Sequence, residues 1–256
     1  MILIGSSAIK YHFKDFPREP KDVDLIVSDK NYKSSNGSSE NKRYEYLENP
    51  ILYKKYGEGF NGVIYCNDLC TLKASHLCWN INWEKHMFDL QFLLKKGCQI
   101  DVKLWRELYD YWNDYHGKNK RSDLKMTKED FFNNAVNYDE NEHDFIHTIL
   151  NPIPVYTKCL KDGEEVELDE NKFYDLSHSD KLEFVREEIY VMAYERYRTS
   201  GFRRAYNMML KKFIISHAPL FSIVFILENY IELQNCTRNF IQEIENGIKQ
   251  NKSIIV

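Results

Sequence analysis

The six cysteines of the chain, Cys66, Cys70, Cys78, Cys98, Cys159 and Cys236, lack the paired C-x-x-C spacing that a zinc site would use. Reduced thiols are the expected state. The chain also lacks a dominant charge. Its 35 basic and 39 acidic residues leave a formal net charge of -4, so there is no global basic field, and any nucleic acid must be met by a local patch. No uninterrupted apolar run of membrane length occurs. Residues 213–231 come nearest, but His217, Pro219, Glu228 and Asn229 break them, and a buried helix fits better than a span. No positively charged leader opens the chain, and no internal repeat is visible. Together these absences predict a cytoplasmic protein without a membrane partner. Heavy use of Asn, Lys, Ile and Tyr fits an AT-rich genome such as that of a phage or large virus, which would place it in the host cytoplasm.

What is present supports one or two folded units. With 256 residues the chain is long enough for an ample core, and 43% apolar with 14% aromatic residues exclude a mostly disordered protein.

Residues 1–27 organise the rest. An apolar run, Met1-Ile2-Leu3-Ile4, meets a Gly5-Ser6-Ser7 corner, and a second run, Leu25-Ile26-Val27, leaves directly from Asp22-Val23-Asp24. Two buried strands are expected, joined through a short helix over residues 8–13 and a loop marked by Pro17 and Pro20. On a strand, Asp22 and Asp24 at i and i+2 project from one face. Two carboxylates in one small volume repel and force one pKa upward unless a hard divalent cation accompanies them.

This layout resembles the DNA polymerase beta-like nucleotidyltransferase superfamily, and it is nearest to the abortive-infection nucleotidyltransferase toxins. The resemblance implies that Gly5, Ser6 and Ser7 cradle the triphosphate of an incoming nucleotide while Asp22 and Asp24 hold Mg²⁺ or Mn²⁺. It further implies a third acid from a neighbouring strand. Glu45 is the first candidate, Glu48 the second and Asp68 the third, because alternation alone does not say which face of that strand turns towards Asp22. Lys73 and Asp89, in a helix pair similar to that of the toxins, would contact the phosphates and hold the lysine or a substrate group. Those relatives carry an arginine near the start of the second helix, where this chain has Lys85 and His86, either of which would touch polyphosphate.

Along the remaining chain, residues 28–43 are polar and read as an exposed loop, and residues 44–48 and 62–66 read as strands that extend a mixed sheet. From Asp68 the pattern turns helical. A second helix carries Met87, Leu90 and Leu93 and stops at Lys95-Lys96-Gly97, and a third covers residues 101–115. The run HGKNKRSD then marks a boundary, and the lysines and arginine at 118, 120, 121 and 125 form a local positive cluster that serves as a backbone contact or a solvated linker.

The expected architecture is an α/β nucleotidyltransferase-like domain over residues 1–115, a small mixed sheet with helices. A mostly α-helical domain over residues 116–256 would close the cleft. In the second part, His143 and His147 share one helix face at i and i+4. Metal ligation, contact with an acceptor, and internal hydrogen bonding are all open to them, with Glu187, Glu188 and Glu195 as downstream acids. Asp144 stands where a zincin needs Glu, so no protease is expected. Lys161-Asp162-Gly163-Glu164 reads as a turn between two short strands. Arg186, Arg196, Arg198, Arg203, Arg204, Lys211 and Lys212, interleaved with Tyr194, Tyr197 and Tyr206, suit an RNA partner.

The activity expected is transfer of a nucleotidyl group from a nucleoside triphosphate to an acceptor hydroxyl on RNA or protein. Two competing readings are a catalytically inactive RNA- or protein-binding module of the same fold and a metal-dependent hydrolase using His143 and His147.

Overall fold

Strand β1 (Ile2–Ile4) passes directly into helix α1 (Gly5–His12), and β2 (Asp22–Val27) returns antiparallel beside β1 with Ile4 opposite Asp24. Strand β3 (Arg43–Glu48) lies parallel to β2, and β4 (Gly62–Val63) lies parallel to β1. The strand order is β3-β2-β1-β4, a small mixed sheet. The computed structural model describes residues 1–27, 43–77, 83–118, 156–159, 165–196, 206–207, 209–211, 213–214 and 218–235. By Cα packing the chain divides into two compact units, Met1–Ile149 and Leu150–Val256; the sequence pattern puts its boundary after residue 115.

Two departures from the sequence pattern have local causes. Helix α2 (Pro50–Tyr56) is not anticipated. Asn49 caps it by accepting from the Leu52 N–H at 3.0 Å, and Pro50 occupies the first turn, where a missing N–H costs nothing. The strand expected over residues 62–66 is cut to two residues, because helix α3 (Cys66–His76) starts sooner. Asp68 in its first turn complements the helix dipole.

Helix α3 is the centre of the first unit, with every side chain from Asp68 to Ser75 buried. Its polar residues carry their own partners. Ser75 Oγ donates to the Leu72 carbonyl, while Thr71 Oγ1 donates to the Asn67 carbonyl and accepts from the Asp101 N–H. Around it pack α1, α4 (Trp83–Lys95) and α5 (Val102–Lys118), which bring Ile9, Leu90, Leu93, Trp105 and Leu108 into the core. The stop expected at Gly97 is a Schellman turn: the Cys98 N–H donates to Leu93 and the Gly97 N–H to Leu94.

The second unit opens with the expected pair of short strands, β5 (Tyr156–Cys159) antiparallel to β6 (Glu165–Leu168); the turn between them lies outside the described residues. Helices α6 (Glu170–Asp175), α7 (His178–Arg196), α8 (Leu220–Glu228) and α9 (Tyr230–Gln234) follow. Tyr156 stacks on Phe213, and its hydroxyl pairs with Ser222 Oγ at 2.6 Å, which satisfies both buried oxygens inside an aromatic core. Among the described residues no helix is long and apolar enough to cross a membrane.

Gly97 has φ +86°, and a Cβ there would meet nothing within 4 Å. Replacing it with alanine therefore carries a backbone cost alone. Urea denaturation of Gly97→Ala is expected to show a loss of about 1 kcal/mol; a neutral substitution would contradict this account of the turn.

Candidate metal and phosphate site

The parallel register of β2 and β3 sets Glu45 directly beside Asp24, with Asp22 two residues earlier on the same face. One oxygen from each of the three carboxylates lies within 4.8 Å of the others, and all three side chains are half-buried. Glu48 falls on the opposite face of β3 by alternation. Asp68 is taken by the Lys55 ammonium at 2.6 Å and the Tyr56 hydroxyl at 2.9 Å. Of the three acids named from sequence for the third place, Glu45 is thus the one that the sheet brings to Asp22 and Asp24.

Burial first, and Asp22 second, push the Asp24 pKa up to about 6; Glu45 adds to this, while Lys73 and Lys85 oppose it. Burial and a neighbouring carboxylate each disfavour the charged form of an acid. Three carboxylate oxygens form the hard, anionic donor set that Mg²⁺ and Mn²⁺ prefer. The donor set fits such an ion.

Gly5 is required twice over. Its φ is +69°, and a Cβ at that position would lie 1.8 Å from Asp24 Oδ2. The carboxylate therefore rests against bare backbone where α1 begins, and no side chain caps that helix start. Ser7 Oγ donates to the Asp22 carbonyl at 2.8 Å, which ties the first turn of α1 to β2. Ser6 is buried and lines the cleft, and its Oγ accepts from Arg18 Nη2.

Arg18 is the residue that sequence reading missed; the flanking Pro17 and Pro20 marked only a loop. Its Nη2 reaches both oxygens of Asp89, at 2.7 and 2.6 Å, and Lys73 Nζ lies 3.0 Å from Asp89 Oδ2. Asp89 is fully buried, so the two cations are its replacement for water. The expected Lys73–Asp89 pairing is present, with a guanidinium added.

A cleft of about 250 Å³ brings these groups together. Gly5, Ser6, Asp22, Asp24 and Glu45 line it together with Lys73, Lys85 and His86. Burial and then Lys73 hold the His86 pKa well below its usual value. Both Lys85 and His86 line the cleft, and the lowered pKa leaves Lys85 as the cation of the two. Asn49, His76 and Trp112 also line the cleft and were not anticipated.

His143 and His147 lie outside the described residues. Among the basic and tyrosine residues of the second unit, Arg186 lies 3.6 Å from Glu232, and Tyr206 is buried in the core, which removes it as a stacking surface.

A family model described as a domain of unknown function, DUF7275, matches residues 68–248, well over half of the chain. The chain belongs to the DUF7275 family. A second model, the domain of unknown function DUF7277, matches residues 1–68. No curated protein and no solved structure matches the chain. The cleft straddles the junction: Gly5, Asp22, Asp24 and Glu45 come from the DUF7277 segment, and Lys73, Lys85 and Trp112 from the DUF7275 segment. The two matches meet within α3, inside one compact unit.

Two predictions follow from these electrostatics. Folding lifts the Asp24 pKa from 3.8 to about 6, so between those values the native chain binds more protons than the unfolded chain, and the penalty fades as pH falls. Metal-free Asp24→Asn is expected to exceed the wild type in stability by up to roughly 3 kcal/mol at pH 8, with the gap closing by about pH 4. Denaturation midpoints across that range check it; a gap that widens in acid would contradict it. Separately, Asp89→Leu leaves two cations unpaired and is expected to cost about 3–5 kcal/mol. Glu19→Gln, at the exposed pair with Lys10, should change stability by less than about 1 kcal/mol. Comparable losses in the two variants would refute the distinction.

Proposed function

We propose that the chain is a divalent-metal-dependent nucleotidyltransferase with a nucleotidyltransferase-like first unit, acting on a nucleoside triphosphate and an acceptor hydroxyl on RNA or protein. The observation that carries this reading is a single cleft in which three clustered carboxylates abut the glycine start of a helix and face a buried lysine. The motif layout of residues 1–95 supports it from the side of resemblance.

In the proposed reaction the acceptor oxygen bonds to the α-phosphorus, the bond from that phosphorus to the bridging oxygen breaks, pyrophosphate leaves, and the acceptor's proton passes to water. Mg²⁺ or Mn²⁺ held by Asp22, Asp24 and Glu45 would supply Lewis acidity towards the phosphate and acceptor oxygens. Gly5 admits the Asp24 carboxylate, and the first-turn N–H groups of α1 beside it would donate to phosphate oxygens. Asp89 aims the Lys73 ammonium into the cleft, where charge develops on the leaving pyrophosphate. Lys85 adds a second ammonium on the same wall. For an RNA acceptor, the proposed contact is the basic run over residues 186–212, without Tyr206.

The test is incubation of the purified chain with each α-³²P-labelled nucleoside triphosphate, Mg²⁺ or Mn²⁺, and total RNA or protein. Label transfer by the wild type and a loss of at least about a thousandfold in Asp22→Asn/Asp24→Asn are expected, with a loss of roughly a hundredfold in Lys73→Met. Folded wild-type protein that neither transfers label nor binds nucleotide by calorimetry would overturn the proposal.

A further inference from the structure

The chemistry of the sheet face inside the cleft changes in one direction. Strand β3 and the extended residue after it place Glu45, Leu47 and Asn49 at alternate positions, and β2 places Asp24 and Ile26 beside them; all five line the cleft. Carboxylates are followed by an aliphatic floor and then by one amide. At about 3.3 Å per residue, Asn49 stands roughly 13 Å along the strand from Glu45. Two rings that also line the cleft, His76 on α3 and Trp112 on α5, pack with centroids 4.8 Å apart at 38°. An aliphatic floor together with an aromatic wall suits a planar heterocycle.

Asn49 supplies an independent observation. The residue is only 2% exposed. Its Oδ1 accepts from the Leu52 N–H, which fixes the orientation of the amide, since only the oxygen can accept. Its Nδ2 is buried without a hydrogen-bond partner. Capping α2 accounts for the oxygen and leaves the NH₂ group unexplained. A buried donor of this kind is costly until something in the cleft accepts from it.

We propose that this end of the cleft is the nucleobase subsite for the incoming nucleoside triphosphate, with the base on the Leu47 and Ile26 floor, Trp112 against its ring, and Asn49 Nδ2 donating to a ring nitrogen or carbonyl oxygen. The inference rests on the nucleotidyl-transfer reading and adds what that reading leaves open, namely which residues recognise the base. The triphosphate then lies at the carboxylate end and the base at the amide end.

The test is calorimetric titration of the full chain with the Mg²⁺ complexes of each nucleoside triphosphate and of inorganic tripolyphosphate. At least one nucleoside triphosphate is expected to bind roughly tenfold or more tightly than tripolyphosphate. That ratio should fall by roughly fivefold or more in Asn49→Ser, which keeps a capping oxygen and adds no charge, and in Trp112→Leu. Equal affinity of wild type for both probes overturns the subsite and leaves the transferase reading standing. An unchanged ratio in both variants also overturns it, as does a defect confined to an acceptor oligonucleotide. Binding of neither probe overturns the transferase reading and the subsite with it.

Discussion

The interaction on which the first unit depends is the burial of the Asp89 carboxylate between Lys73 and Arg18. Stripping a carboxylate of water costs several kcal/mol, and it persists in a core only where cations and hydrogen bonds replace the solvent. Here the pairing joins three separated places in the chain: α4 supplies the acid, α3 the lysine, and the loop between α1 and β2 the guanidinium. Arg18 then reaches Ser6, Ser7 holds the Asp22 carbonyl, and Asp24 rests on Gly5. A short series of contacts thus runs from the buried pair to the clustered acids, so the helices and the sheet hold the cleft in one geometry.

Charge is divided across that geometry. The sheet side carries three acids, where burial first and the Asp22 charge second raise the pKa of Asp24, and the helix side carries Lys73 and Lys85. Lys73 and Lys85 bring positive charge to the cleft, and α1 begins in it at Gly5. A divalent cation satisfies the first side and a polyphosphate the second. A metal-bound nucleoside triphosphate would satisfy both, which is the ground for proposing nucleotidyl transfer.

Much of this was legible because it is local in sequence. Asp22 and Asp24 share a face through strand periodicity, the Gly5 corner follows an apolar run, and Gly97 ends a helix with ordinary C-terminal chemistry. The rest depends on partners distant in the chain. Which face Glu45 presents is decided by the Asp24–Glu45 register, a property of two paired strands and not of either alone. Arg18 looked like a loop residue because its partner, Asp89, lies 71 residues away. Helix α2 is short and held by its cap, too brief for apolar periodicity to reveal. Trp112 reads as one more apolar position on an amphipathic helix until the fold turns it towards the cleft.

The central claim, that the three carboxylates take a divalent cation together with a nucleotide, is tested most directly by Mn²⁺ electron paramagnetic resonance with a non-hydrolysable nucleoside triphosphate analogue. The account predicts protein-bound Mn²⁺ whose affinity rises when the analogue is present, and loss of that signal in Asp22→Asn/Asp24→Asn. Mn²⁺ binding that ignores the analogue, or that survives the double substitution, would contradict it.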